Sequence, residues 1–132
     1  MAVANLVNPS VGVVTGNDNI VIVDNFQSIR GGRALDVTGF TPDVIKAGHV
    51  IIKETTTGEY KPMPVNAGGT AYAALPAGHT YAGIQINTVL KTRAMAGILL
   101  RGTVNHKAAP YPMDTILAAV KTALPLIDFR ED

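Results

Sequence analysis

The sequence predicts a mainly β fold: a small β-sheet domain or partly closed barrel, with one short helix in its C-terminal half and an extended N-terminal arm. Three observations carry this. Short β-branched and aliphatic runs at 20–23, 49–53 and 81–87 are separated by clusters of Gly, Pro, Asn and Thr. Only one segment has helical spacing, with Met113, Ile116, Leu117, Val120 and Leu124 on one face. Residues 1–16 show neither period and carry no charged side chain.

The elements follow in order. Residues 1–16 read as an arm, and 17–132 as a single β-rich domain, which suits a chain of 132 residues. Asn17-Asp18-Asn19 is a turn signal, and Ile20-Val21-Ile22-Val23 after it has high β-propensity. Residues 26–29 extend that strand or begin the next. Gly31-Gly32 is a turn, residues 34–37 are extended, and Thr41-Pro42-Asp43 bends the chain. Segments 49–54 and 59–65 form a hairpin joined by Thr55-Thr56-Thr57-Gly58. Pro62 and Pro64 lack a donor, so the second strand belongs on an edge.

Residues 66–80 form a long Ala- and Gly-rich loop. A strand at 81–87 follows, with Tyr81, Gly83 and Gln85 facing opposite Ala82, Ile84 and Ile86. The apolar run 94–104 contains Gly97 and Gly102, which point to bulges or close backbone contacts rather than a helix. Pro112 suits the entry of the helix at 113–124, Asp114 suits its positive end, and Pro125 stops it. Residues 126–129 close the domain as a short strand, with Asp128 facing away from Ile127 and Phe129.

Composition narrows the function. Eleven Lys and Arg balance ten Asp and Glu, and no basic stripe is present to neutralise phosphates, so nucleic acid is not an expected partner. The absence of cysteine removes disulfides, thiolate catalysis and Cys-ligated zinc. No unbroken apolar stretch approaches the ~20 residues a membrane span needs. Asn5, Asn8 and Pro9 interrupt the N-terminal apolar residues, so no export signal is expected either.

No constellation carries catalysis. His49, His79 and His106 have no metal-ligand spacing, and each is expected to be a surface or turn residue. Ser10 and Ser28 lie in no nucleophile elbow, and the carboxylates are scattered singly. The run from Gly97 to Thr103 lacks the Lys of a phosphate loop. Gly31-Gly32-Arg33 reads as a hairpin turn before it reads as an anion nest. Met63, Met95 and Met113 read as core gap-fillers, and the four tyrosines form no stacking platform. The expectation is a non-enzymatic protein without cofactor or metal. Val3, Leu6, Val7, Val11, Val13 and Val14 of the arm are the candidate partner contacts, since an extended apolar segment can add as a strand to a partner's sheet edge.

The order of elements over about residues 48–130 resembles the head decoration proteins of lambdoid and related tailed phages. The resemblance lies in Gly48-His49-Val50-Ile51-Ile52 with its polar-tipped hairpin, Tyr81-Ala82-Gly83-Ile84, and Gly97-Ile98-Leu99 leading to Arg101-Gly102-Thr103-Val104. The helix and Leu126-Ile127-Asp128-Phe129 complete it. It implies a small β-rich homotrimer on the outer capsid surface of a virion, made in the host cytoplasm. Such a subunit engages the major capsid protein through its N-terminal arm, braces the shell and has no catalytic residues. The strand-rich stretch at about 17–47 departs from the loose N-terminus the family implies, and fits a head fibre or another auxiliary capsid protein as well. A tail, baseplate or fibre-attachment component suits the same composition. A small ligand-binding or enzymatic barrel would need a histidine and a distant carboxylate to meet in a pocket.

Overall fold

The computed structural model describes residues 15–29 and 31–131. The chain enters through a single helical turn, α1 (Asp18–Val21), and passes directly into β1 (Ile22–Ser28). The strand expected at 20–23 therefore begins two residues late. The N–H groups of Ile20 and Val21 both donate to the Asn17 carbonyl, at 3.0 and 2.9 Å, and this turn drops Val21 into the core.

Short strands follow: β2 (Arg33–Ala34), β3 (Val44–Ile45), β4 (Val50–Glu54), β5 (Tyr60–Pro62), β6 (His79–Gln85), β7 (Val89–Leu90), β8 (Met95–Ala96) and β9 (Ile98–Asn105). The chain ends with α2 (Leu117–Ala123) and β10 (Ile127–Arg130). The expected hairpin is β4–β5, and its proline-bearing strand lies at the sheet edge as predicted. The strand expected at 81–87 starts and stops two residues earlier. Gln85 ends it by turning its side-chain amide onto the carbonyls of Ile45 and Asn87, both at 2.7 Å.

The main sheet runs β1-β9-β6-β4-β5, with β10 also paired to β9; β2–β8 and β3–β7 form two small sheets beside it. Among the described residues no barrel closes, because β1 and β5 are left as the two edges of the sheet. The long strand β9 organises the arrangement. Antiparallel β1 covers one side of it, while its other side pairs first with β6, at Ile98 and Leu99, and then in parallel with β10, from Gly102 to Asn105. The apolar run that supplies β9 is cut at Gly97, leaving Met95 and Ala96 to β8.

At Gly102 the backbones of β1 and β9 approach so closely that a Cβ would run into the Asp24 carbonyl oxygen. That is the physical content of the glycine in this strand. Asp128 faces out between buried Ile127 and Phe129, following the two-residue alternation of a strand.

Both faces of the sheet are covered along β4 and where β6 meets β9. Val50, Ile52, Ile84, Leu99 and Val104 pack with Val120 of α2 and with Leu124 just after it, while Ile51 and Ile98 pack on the other side with Leu35, Phe40 and Ile45. A doubly covered strand can be apolar without alternation, which accounts for Val50-Ile51-Ile52 being buried in succession. The helix is shorter than its pattern. Residues 113–116 form a turn closed by the Ile116 N–H on the Met113 carbonyl at 3.0 Å, and Met113, Val120 and Leu124 still reach the core.

Candidate interaction surface

The six arm residues Val3, Leu6, Val7, Val11, Val13 and Val14 lie outside the described residues. The part of the chain that follows them is well defined. Asp18 accepts two hydrogen bonds from Thr88, one from the backbone N–H at 3.1 Å and one from the hydroxyl at 2.7 Å. The Thr88 hydroxyl oxygen in turn accepts from the Ala47 N–H at 3.1 Å. Three residues beyond Asp18, Val21 is buried against Gly48, where a Cβ would collide with the valine side chain. Gly48 takes a φ of 89°, and its N–H donates to the Gln85 carbonyl at 2.8 Å while the Gln85 N–H donates to the His49 carbonyl at 2.9 Å. This is a bulge with glycine at its left-handed position, and it both admits Val21 and turns His49 inward.

From this root runs β1, seven residues long and, among the described residues, paired on one side only. Its five central residues are exposed, so both of its faces meet solvent. Neither Pro nor Lys interrupts it, although these are common means of blunting an edge; exposed Asp24 and three register shifts against β9 are the protection it carries. The opposite edge is treated differently. There β5 carries Pro62, and the 35–36 segment lies along it, bridging Leu35 to Tyr60 and donating the Asp36 N–H to the Tyr60 carbonyl at 2.9 Å.

Phe26, 70% exposed, and Leu126, 63% exposed, border an open groove across β1, β9 and β10 that also touches Arg101, Thr103 and Asp128. Large apolar side chains held at such exposure beside an unpaired edge mark a surface suited to a partner. The sequence reading missed both residues. The signal for Phe26 was there, as a lone aromatic within the polar run Asp24-Asn25-Phe26-Gln27-Ser28.

Two of the three histidines depart from expectation, whereas His79 lies part-exposed at the surface with Nδ1 2.9 Å from the Ala77 carbonyl. His49 is fully buried rather than at the surface, with Nε2 on the Met63 carbonyl at 2.9 Å and Nδ1 without a partner among the described residues. Its ring sits edge-on to Phe40, Tyr72 and Tyr111, at centroid distances of 5.4, 5.1 and 5.6 Å. Tyr72 and Tyr111, far apart in sequence, are thus brought together around His49. They meet at 5.3 Å, and the Tyr72 hydroxyl accepts from the Val50 N–H at 3.1 Å. Burial pushes the His49 pKa down to about 4, against a smaller opposing effect of the Met63 bond.

His106 is also buried, and its Nε2 lies 3.8 Å from Glu131. Met95 is corrected in the other direction: it is 60% exposed on β8 and fills no core gap, whereas Met63 and Met113 are buried.

Among the described residues no group of three or more His, Asp or Glu side chains is placed to hold a metal ion, and no helix is long and apolar enough to cross a membrane. The carboxylates instead serve local structure. Lys61 stands 3.7 Å from Asp36 and 3.6 Å from Glu54. Hydrogen bonds from Thr38 and Thr57 respectively hold these two acids below their ordinary pKa. No protein-family model, no curated protein and no solved structure matches the chain.

Proposed function

We propose that this protein is a non-enzymatic structural subunit of a phage particle, which binds the outer surface of the capsid as a homotrimer and braces the lattice. The observation that carries the reading is the junction at Asp18. In sequence, an uncharged segment rich in valine precedes a point tied down by Thr88, which is followed by a strand with Phe26 exposed and, among the described residues, a partner on one side only. A tethered extended segment and an open edge are the two halves of strand addition, where main-chain hydrogen bonds supply affinity and alternate side chains supply specificity. The order of elements shared with head decoration proteins points the same way. Repetition over a lattice lets each contact be weak, since simultaneous engagement multiplies the affinity of single sites.

The experiment is co-sedimentation with purified empty capsid shells, comparing the full chain with one lacking residues 2–16 and with Phe26→Asp. Both changes are expected to abolish or greatly reduce binding while the native mass of the free protein is followed in parallel. Undiminished binding by the shortened chain and by Phe26→Asp would overturn the assignment of this surface. Localisation of the subunit to the tail or baseplate by cryo-microscopy of the particle would replace the capsid reading.

A further inference from the structure

At the far edge of the sheet from β1, a cavity of about 280 Å³ opens beside β4 and β5. Buried Phe40 and Ile52 form its base, and Pro62, Pro64 and Pro76 stand in its wall. Proline fixes φ, so this wall has little freedom to lose when a ligand enters. The loops around it are also held by their own bonds. Asp36 Oδ1 accepts from the Thr38 N–H at 3.1 Å, Lys91 Nζ donates to the Phe40 carbonyl at 3.1 Å, and Asn66 Oδ1 accepts from the Thr70 N–H at 2.9 Å. The cavity is formed before anything binds.

Three polar side chains on it have hydrogen-bonding capacity to spare. Lys61 Nζ stands 3.7 Å from Asp36 Oδ2 and 3.6 Å from Glu54 on its other side, too far for either contact to saturate the groups. His79 Nδ1 lies 2.9 Å from the Ala77 carbonyl, which requires the proton on Nδ1 in the neutral ring and leaves Nε2 as an acceptor.

This mixture selects among ligand classes. A purely apolar ring would strip water from the Lys61–Asp36 pair and return no hydrogen bond. An anion would be repelled by Asp36 and by Glu54 behind Lys61, and a cation by Lys61 itself. A neutral ring bearing hydroxyls avoids both costs. Its hydroxyls donate to Asp36 and His79 Nε2 and accept from Lys61, while its C–H face rests on the prolines and Phe40. The volume, at the small end of ligand pockets, admits about one six-membered ring.

We propose that this cavity binds a single neutral pyranose ring, such as a terminal residue of a surface glycan. The site is separate from the β1 surface and does not depend on the capsid reading.

The test is amide NMR of the ¹⁵N-labelled full chain, titrated into the tens of millimolar with the methyl pyranosides of glucose, galactose and mannose. Cyclohexanol serves as the ring without a hydroxyl pattern, and glucuronate as the charged ring. At least one pyranoside is expected to give saturable shifts confined to residues 38–41, 61–67 and 76–79, with cyclohexanol and glucuronate giving none. Asp36→Asn should weaken that binding roughly tenfold, the loss expected when a hydrogen bond to a charged group is degraded. Ala67→Trp, at an exposed position on the rim, should abolish it with the rest of the spectrum unchanged. Absence of saturable shifts with all three pyranosides overturns the proposal. So do equal shifts with cyclohexanol or glucuronate, or undiminished binding by Ala67→Trp.

Discussion

Thr88 grips Asp18 with both its backbone N–H and its hydroxyl, at 3.1 and 2.7 Å, across 70 positions of sequence. The contact decides local structure at a place where propensity points elsewhere. Ile20-Val21-Ile22-Val23 would extend as a strand if left to its β-branched side chains. Pinning Asp18 to the β6–β7 connection instead holds Asn17 where its carbonyl closes the α1 turn, and directs Val21 downward into the core. Asp18→Ala should cost roughly 1–2 kcal/mol, as hydrogen bonds to a partly buried charged group do. In a double-mutant cycle with Thr88→Val, the two losses should fail to add, since both remove the hydroxyl bond between Thr88 and Asp18. Urea denaturation of the four proteins measures this, and full additivity would mean that the contact does not couple the two residues.

The glycines of the apolar run 94–104 make a paired prediction. At Gly102 an added methyl meets the Asp24 carbonyl, and Leu99 Cδ1 lies 3.1 Å away, so β1 and β9 must separate to accept it. At Gly97 the nearest atoms are Ile86 Cδ1 and Asn87 Oδ1, at 3.4 and 3.5 Å, which is ordinary contact. Gly102→Ala should therefore destabilise by roughly 1–3 kcal/mol, the range for overpacking. Gly97→Ala should change stability by no more than about 0.5 kcal/mol. Thermal denaturation of both variants decides it; similar losses at the two positions would contradict the β1–β9 contact.

What was readable in the sequence was local chemistry. The β4–β5 hairpin, the edge position of Pro62 and the outward face of Asp128 each follow from a turn, a missing donor or a two-residue period. Features that depend on distant partners were not readable. Nothing near His49 announces that Tyr72 and Tyr111 will close around it, because the bulge at Gly48 that turns it inward is defined by pairing with Gln85. Nor does the closing strand reveal its direction. The residues of β10 suit either orientation, and its parallel pairing with β9 follows from where α2 delivers the chain. The candidate surface was half legible: the uncharged arm stood out by composition, while the open edge that accompanies it required the topology.

Phe26 separates partner binding from stability. With 70% of its surface exposed, it contributes little to the core, and Phe26→Ser should leave the urea midpoint unchanged within the ±0.5 kcal/mol typical of surface positions. If β1 is the docking edge, the same variant should lose most of its binding to capsid shells. A large fall in stability would instead make Phe26 a structural residue and remove the basis for reading this groove as an interface.

The buried imidazole should make folding sensitive to mild acid. Burial holds His49 near a pKa of about 4, while in the unfolded chain it titrates near 6.5. As pH falls through this interval the unfolded chain takes up a proton that the folded protein refuses, so stability is lost from about 6.5 down to about 4. The slope should approach 1.4 kcal/mol per pH unit, for a total of about 3 kcal/mol. Asp36 and Glu54 also make stability fall in acid, because their folded pKa values are lowered. That loss begins only around and below their ordinary values of 3.8 and 4.5, beneath most of the histidine interval. Unfolding free energies from urea titrations in steps from about pH 7 to about pH 4.5 should therefore follow His49. His49→Leu leaves the Met63 carbonyl without its donor and should be less stable at neutral pH, yet its stability should change far less across the same steps. Parallel curves for the native protein and His49→Leu would show that the acid sensitivity arises at another group.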